Sequence, residues 1–429
     1  MIRIIKADGI AEMDFLKELR ARSGETDKAV TQTVTEIIND VRENGDSAVD
    51  KYSKKFDGFI PEKRILDRED IRKAAEQCEG EYLEMLRRAA ANIERFHRRQ
   101  VQQSWLTTEE DGVILGQRIR GLHRVGVYVP GGTAAYPSSV LMCVIPAKIA
   151  GVKEIVMVTP PSKEEANKTI LAAAYIAGVD KIYLMGGAQA VAALAYGTET
   201  VPKADKIVGP GNIYVATAKR LIYGAADIDM IAGPSDILIV ADDSANYKYL
   251  AADLLSQAEH DVLASSILIM VSMETAELVQ KETERQLNNL PRKEIAKKAI
   301  ENNSAIIVCE NMDKAVELAN EFAPEHLEVS ARDPMTYIGK IDNAGSVFLG
   351  NYSPEPLGDY YVGPNHVLPT LGTARFFSPL SVDSFVKKSS FMYYTKSAFE
   401  RSADDVIMFA ESEGLKAHAN SVRVRREDV

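Results

Sequence analysis

The chain has 429 residues, 46% of them apolar, which is enough for more than one hydrophobic core; at about 150 residues per domain, this length predicts two to four domains. A formal charge of −11, from 51 basic and 62 acidic residues, argues against nucleic acid as a partner, and the short basic run Arg423, Arg425 and Arg426 reads as a solvated tail. No apolar run reaches membrane-spanning length, and the opening MIRIIKADGIAEMDF lacks the apolar core of a signal peptide, so a cytoplasmic protein with no membrane partner is expected.

The first hundred residues follow a helical pattern. Val30, Val34, Ile37, Ile38 and Val41 form one apolar stripe, and Ile71, Ala75, Cys78, Tyr82, Leu86, Ile93 and Phe96 form another; both are packing faces. From Gly121 the texture changes to short β-branched runs alternating with Ala-rich helices: GVYVPGG, SVLMCVIPAKIAGVKEIVMVTPP and ILAAAYIAGVDKIYLMGG. The junction IAGVKEI at 149–155 returns as IAGVDKI at 176–182. Two helix-to-strand units with one junction predict a parallel sheet with crossover helices.

A second series of the same kind follows, with DILIVADD, a helix through DLLSQAEHD, SSILIMVS, a long helical stretch from Thr275, and AIIVCENM. The pattern alone predicts two consecutive α/β units joined near Gly233-Pro234. After SVFLGNY at 346–352 comes SPEPLGDYYVGPNHVLPT, a loop too long and too rich in Pro and Gly to be a simple connection. The last fifty residues read as helix, too short to bury an apolar face without a partner surface.

Three cysteines, Cys78, Cys143 and Cys309, lack CxxC spacing and support neither a disulfide framework nor a thiolate zinc site. Cys143, in VLMCVIP, is core, and the carboxylates around Cys78 in EQCEGE should raise its pKa. Of the six histidines, His97 in ERFHRRQ reads as part of a solvated helix face and His123 as structural. His260, His326, His366 and His418 sit beside glycine, proline or acids. In DLLSQAEHD a helix over about 247–259 puts Gln257 and His260 one turn apart, within reach of one point. An imidazole is a common metal ligand and a Gln carbonyl oxygen a hard, unusual one; on the pair alone a helix-end hydrogen bond is the better reading, and a metal site needs more ligands. In FAPEHLE, Pro324 favours a turn that projects Glu325 and His326 into a cleft, a pair suited to proton relay, though an acidic helix start with an incidental histidine has the same pattern. The long loop adds Asp359 and His366, and EGLKAHA adds Glu413 and His418.

Glycine turns at VPGG, MGGAQ, GPGN and AGPSD fall at carboxyl ends of predicted strands, where open α/β sheets bind ligands, but none is GxGxxG. A dinucleotide enzyme and a metal-assisted hydrolase both remain open on these residues.

GVYVPGGTAAYPSSVLM, GGAQAVAALAYGT, GPGN, DMIAGPSDILIVAD, DLLSQAEHD, FAPEHLE, NAGSVFLG, GDYYVGPNHVLPT and EGLKAHANSV together closely resemble the histidinol dehydrogenase family, from about residue 25 to 422. The resemblance implies oxidation of L-histidinol through L-histidinal to L-histidine, the last two steps of histidine biosynthesis, with NAD and zinc as cofactors. It implies zinc on Gln257, His260, Asp359 and His418, with proton transfer by Glu325 and His326. Substrate contacts are implied at Ser235, His366 and Glu413 as well as at the zinc ligands and His326, and NAD contacts at Tyr128, Gln189 and Asn212. The implied fold is α/β, with two incomplete Rossmann-like domains built on parallel sheets plus small helical N- and C-terminal pieces. Its segments would be 1–24, an N-terminal helical extension; 25–127 with 236–379, the zinc and catalytic domain; 128–235, inserted, the NAD domain; and 380–429, a helical arm completing the partner's site in an intertwined homodimer.

Overall fold

The repeated junction IAGVKEI and IAGVDKI is one piece of backbone built twice. In each copy the glycine after the helix, Gly151 (φ 79°) and Gly178 (φ 83°), takes the left-handed conformation that a side chain disfavours. The next residue turns back to cap the helix: Val152 N–H donates to the Ala147 carbonyl at 3.1 Å, and Val179 N–H to the Ala174 carbonyl at 2.9 Å. Each helix is thereby released directly into a buried strand. The computed structural model describes residues 1–24, 28–131, 136–161, 167–231 and 233–427.

The chain opens with β1 (Arg3–Lys6) and α1 (Ala11–Gly24), then α2 (Lys28–Phe56), which kinks at Gly45 where φ is 53°. Next come β2 (Ile65–Leu66), α3 (Arg68–Ala75) and α4 (Gly80–His97). The Asp67 side chain starts α3 by accepting the Glu69 and Asp70 N–H groups. Strands β3 (Trp105–Thr107) and β4 (Val113–Gly121) lead into an alternating series: β5 (Arg124–Tyr128), α5 (Pro137–Ile149), β6 (Glu154–Thr159), α6 (Asn167–Ala177), β7 (Lys181–Leu184), α7 (Gly187–Tyr196), β8 (Lys206–Val208), α8 (Ile213–Ile222) and β9 (Asp227–Ile228). A second series runs β10 (Asp236–Ala241), α9 (Tyr247–Ala258), β11 (Ser265–Met270), α10 (Met273–Leu287), α11 (Lys293–Asn303), β12 (Ala305–Val308), α12 (Met312–Phe322), β13 (His326–Ser330) and β14 (Ser346–Leu349). The chain ends with α13 (Glu355–Tyr360), β15 (Val386–Tyr394), α14 (Lys396–Ser412) and α15 (Lys416–Glu427).

Two six-stranded sheets result. One, in the order β1-β12-β11-β10-β13-β14, is parallel throughout; the other, β2-β7-β6-β5-β8-β9, is parallel except for its edge strand β2. In each, the strand order reverses beside the strand that opens the series, β10 or β5, giving two half-Rossmann units. Isoleucines and valines of both faces are fully buried, as parallel sheets require.

Three expectations need correcting. The extension 1–24 contributes an edge strand to the β10 sheet, with Ile4 opposite Ile306. The helices of 28–97 pack not on that sheet but on the two faces of the β5 sheet: Val34 and Ile37 share a core with Val156 and Leu194, and Ile71 and Ile93 share one with Val127 and Ile155. The apolar stripes were visible in the sequence, but which sheet they cover depends on contacts far along the chain. The C-terminal segment, expected to be helical, contains β15, which pairs antiparallel with β4 from Val386 opposite Gly121 to Tyr394 opposite Val113. VKKSSFMYY alternates poorly because most of both its faces is exposed in the single chain.

Candidate active site

Strands β10 and β13 lie side by side, Ile237 opposite His326, so their first residues and the one preceding β13 form a cluster at the amino edge of this sheet. Asp236 locks it. Its carboxylate accepts the Glu325 N–H at 2.8 Å, its own N–H donates to Glu325 Oε2 at 3.0 Å, and its carbonyl lies 3.0 Å from His326 Nδ1. A carbonyl can only accept, so Nδ1 carries the hydrogen and Nε2 is left as the reactive nitrogen. Nε2 is buried with no hydrogen-bond partner among the described residues. Glu325 and His326 therefore project from the start of a strand, held by its neighbour.

The surroundings are rich in carboxyl groups. His326 Nε2 lies 3.6 Å from Asp359 Oδ1 and 3.9 Å from Glu355 Oε1, and Nδ1 lies 3.8 Å from Glu325 Oε2. Burial pulls the imidazole down, but these carboxylates more than offset it and push it up to about 10. Burial pushes Glu325 up to about 8, with Asp236 and Asp359 adding to the rise and His326 opposing it. Asp359 goes the other way: burial opposes ionisation, yet His326 and His366 bring it down to about 2. Potential ligand atoms of His326, Glu355 and Asp359 all lie within 4.8 Å of one another.

Helix α9 begins at Asn246, whose side chain accepts the Lys248 N–H at 3.0 Å, and brings Gln257 to this edge of the sheet. Gln257 is 1% exposed, and both its amide atoms lack a partner among the described residues, a costly arrangement for a group that serves only packing. His260 lies just past the helix in the closing turn, exposed, with its N–H bonded to the Gln257 carbonyl at 3.2 Å. The surrounding protein lowers its pKa, while Asp359 raises it. His366 joins the two units: its Nδ1 lies 3.0 Å from the Asp359 carbonyl and its Nε2 3.3 Å from Ser139 Oγ on α5. Ser235 immediately precedes Asp236, and its carbonyl accepts the Ser265 N–H. Glu413 and His418 are not brought into this buried cluster; they are exposed on the terminal α14–α15 hairpin.

The other candidate residues gather at the carboxyl edge of the β5 sheet. Tyr128 ends β5, and its hydroxyl accepts the Gly187 N–H at 3.0 Å; burial pushes the phenol up to about 12. Gln189, two residues along on α7, has a buried Oε1 with no partner among the described residues. Asn212 caps α8 through Oδ1, which accepts the Tyr214 and Val215 N–H groups at 3.1 and 3.2 Å. The GPGN turn before it is fixed from beneath. Lys219, 3% exposed, pairs with buried Asp229, and its Nζ donates to the Gly209 carbonyl at 3.0 Å while Asp229 accepts the Gly209 N–H at 2.7 Å. Gly209 has φ 112°, and a Cβ there would collide with the Tyr128 carbonyl.

Other readings of the sequence come out differently. His97 is fully buried, its Nδ1 2.7 Å from Gln100 Oε1 and its Nε2 3.4 Å from Asn365 Nδ2, rather than on a solvated face. Cys143 is core as expected; Cys78 is raised, chiefly by burial rather than by acidic neighbours, and burial takes Cys309 up to about 11. Sequence reasoning missed Asp236, Glu355, Ser139, half-buried Asp253 and buried Glu328, although AGPSD, SPEPLGD, SVLMCVIP, DLLSQAEHD and FAPEHLE carried all five.

The sequence profile described as Histidinol dehydrogenase matches residues 20–426. The chain belongs to the histidinol dehydrogenase family. It is similar to a histidinol dehydrogenase of Clostridium acetobutylicum, 53% identical over 426 residues covering 99% of both chains, and to one of Bacillus cereus, 54% identical over 428 residues covering 100% of both. The crystal structure of histidinol dehydrogenase from Elizabethkingia anophelis superposes with a TM-score of 0.92 at 38% identity, covering 100% of this chain and 98% of that one. Membership of the histidinol dehydrogenase family makes the chain an oxidoreductase and displaces the hydrolase alternative.

Proposed function

We propose that the protein oxidises L-histidinol to L-histidine through L-histidinal, with NAD as hydride acceptor and zinc as substrate anchor. The observation that carries the chemistry is His326, whose Nδ1 is fixed on the Asp236 carbonyl and whose Nε2 is unpartnered among the described residues, beside Glu325. The carboxylates that raise His326 are the ones a bound cation would neutralise, and with that charge offset the ring is neutral and Nε2 takes the hydroxyl proton as a hydride leaves carbon for NAD. Glu325, its carboxyl high enough to exchange a proton near neutral pH, activates the water that hydrates the aldehyde; His326 then serves the second oxidation in the same way.

The residues fit a divalent cation. Gln257 offers a buried amide oxygen with no partner among the described residues, Asp359 stays ionised, and the surplus of carboxylates near it calls for positive charge. Gln257, His260 and Asp359 would hold zinc together with His418 of a second copy. When bound, zinc supplies a Lewis-acidic anchor for the imidazole and amine nitrogens of histidinol. Ser235 and His366, with Glu413 of the second copy, would line the substrate pocket. NAD would lie along Tyr128, Gln189 and Asn212, where the carboxyl edge of the second sheet faces this site across the Ser139–His366 contact.

The shared-site homodimer is supported by the terminal arm: Met392 is 73% exposed and Phe409 70%, large apolar surface that a lone chain leaves in water. The inserted unit 128–235 is retained as the NAD domain, with α2 to α4 as its outer layer. Among the described residues no helix is long and apolar enough to cross a membrane, and we place the protein in the cytoplasm. The deciding experiment is the yield of NADH per L-histidinol. Two NADH with little free aldehyde are expected; a plateau at one with histidinal accumulating would defeat the four-electron reaction.

A further inference from the structure

Strand β13 carries a second buried acid. Glu328, 5% exposed, lies two residues beyond His326 and so on the same face of the sheet; Leu327 and Val329 face the opposite core. Its strand partner on this face, Ile239, packs with Leu254 and Ala258 of α9. A leucine at 328 would extend that packing. A carboxyl costs stability there, so its bonds must serve another end.

Those bonds reach two other elements. Glu328 Oε1 accepts the N–H of Glu355, the first residue of α13, at 2.8 Å; Pro354 before it supplies no side-chain cap. On the other side Glu328 interacts with Asp253 of α9, and burial raises the pKa of both carboxyls. One turn beyond Asp253 on the same helix face is Gln257, and one turn beyond Glu355 is Asp359.

We propose that Glu328 is a positioning residue for the metal site: holding the Glu355 N–H of α13 from the β13 face that α9 packs on, beside Asp253, it sets both helices against β13 so that Gln257, His260 and Asp359 converge beside His326. The proposal rests on the zinc reading above. It assigns no contact between Glu328 and substrate, cofactor or metal, and it makes metal affinity, rather than chemistry, the property that Glu328 controls.

The test measures zinc affinity by competition with a chromogenic chelator, and NAD+ affinity by titration calorimetry, in the full-length protein. Glu328→Leu should bind zinc on the order of 10- to 100-fold more weakly, the usual effect of removing a group that orients ligands. Its NAD+ affinity should be unchanged, because those contacts lie on the other sheet. Glu328→Gln retains an acceptor for the Glu355 N–H and can donate to Asp253, so it should keep most of the zinc affinity. Asp253→Ala, which removes the second anchor while leaving the first, should fall between them and serves if the leucine variant does not fold. Parent-like zinc affinity in Glu328→Leu or Asp253→Ala overturns the proposal. So does an equal loss in Glu328→Gln, or a joint loss of zinc and NAD+ binding that marks general unfolding. A parent protein that binds no zinc overturns the metal reading itself and this inference with it.

Discussion

Glu325 and Asp236 bind each other reciprocally: the Glu325 N–H donates to Asp236 Oδ1 at 2.8 Å, and the Asp236 N–H donates to Glu325 Oε2 at 3.0 Å. Both backbone groups belong to the starts of adjacent parallel strands, so the orientation of the Glu325 carboxyl is set by the sheet. On the proposed function Glu325 and His326 have different roles. Glu325→Gln should slow aldehyde oxidation more than alcohol oxidation, because only the aldehyde step adds water, whereas His326→Asn should slow both. Losses on the order of 10² to 10⁴ are expected for a missing acid or base. Equal, small effects on both half-reactions, measured separately with histidinol and histidinal, would remove the assignment.

The GPGN turn yields a prediction about the cofactor. Lys219 and Asp229 are 3% and 1% exposed at their side chains, and between them they bind the Gly209 carbonyl and N–H. Lys219→Met strands a buried carboxylate, which should cost about 3–5 kcal/mol of stability. It should also raise KM for NAD+ on the order of tenfold while leaving KM for histidinol alone. Adding Asp229→Asn removes the stranded charge and retains an amide oxygen for the Gly209 N–H. The double variant should therefore recover both properties. A double variant no better than the single one contradicts this account of the turn.

Much of the fold was legible because its signals are local. The glycine-ended helices at Gly151 and Gly178, and the β-branched runs such as ILIV at 237–240, specify parallel βαβ units without reference to the rest of the chain. The pairing of Glu325 with His326 was also local, being adjacent in FAPEHLE. What could not be read was non-local. Asp236 acts on residues 89 and 90 positions away, His366 reaches Ser139 across 227, and His97 is buried only because Asn365 comes back from 268 residues later. A basic helix segment such as ERFHRRQ gives no sign of that return.

His97 supplies the pH dependence. Burial holds its pKa below the ordinary 6.5, and the Asn365 amide, which also donates to the Met142 carbonyl at 2.7 Å, faces Nε2 and suits the neutral ring. Between its folded value and about 6.5 the unfolded chain binds a proton that the native chain refuses, so stability rises with pH across that window. Its contribution is complete above about 6.5 and is lost as pH falls. Because Asn365 precedes His366, acidification should loosen the contact between the two units as well. Melting temperatures of parent and His97→Gln should diverge above this window and draw together below it; parallel profiles would exclude the effect.

Metal removal should separate the two edges. The proposed zinc ligands Gln257, His260 and Asp359 lie at the amino edge of one sheet, and Tyr128, Gln189 and Asn212 at the carboxyl edge of the other. Chelation should abolish turnover and leave NAD+ binding largely intact by calorimetry, with zinc restoring activity. Full activity in demonstrably metal-free protein would refute the anchoring role.

The remaining proposed ligand, His418, is exposed on α15, while His326 and Glu325 are buried in the sheet of the same chain. The arm that carries it, β15 with α14 and α15, exposes Met392, Tyr393, Met408 and Phe409. If that surface covers a second copy, His418 acts in the neighbour's site, and complementation detects it. Let one protomer carry Glu325→Gln with His326→Asn and the other His418→Asn, so that each homodimer is inactive. In a mixed dimer, the protomer with intact Glu325 and His326 receives an intact His418 from its partner, and one site of the two is whole. Random exchange of equal amounts makes half the dimers mixed, so recovery of about a quarter of parent activity is expected for independent sites. Mixed dimers verified by mass spectrometry yet inactive would return His418 to its own chain's site, and the arm's apolar face would then need another explanation.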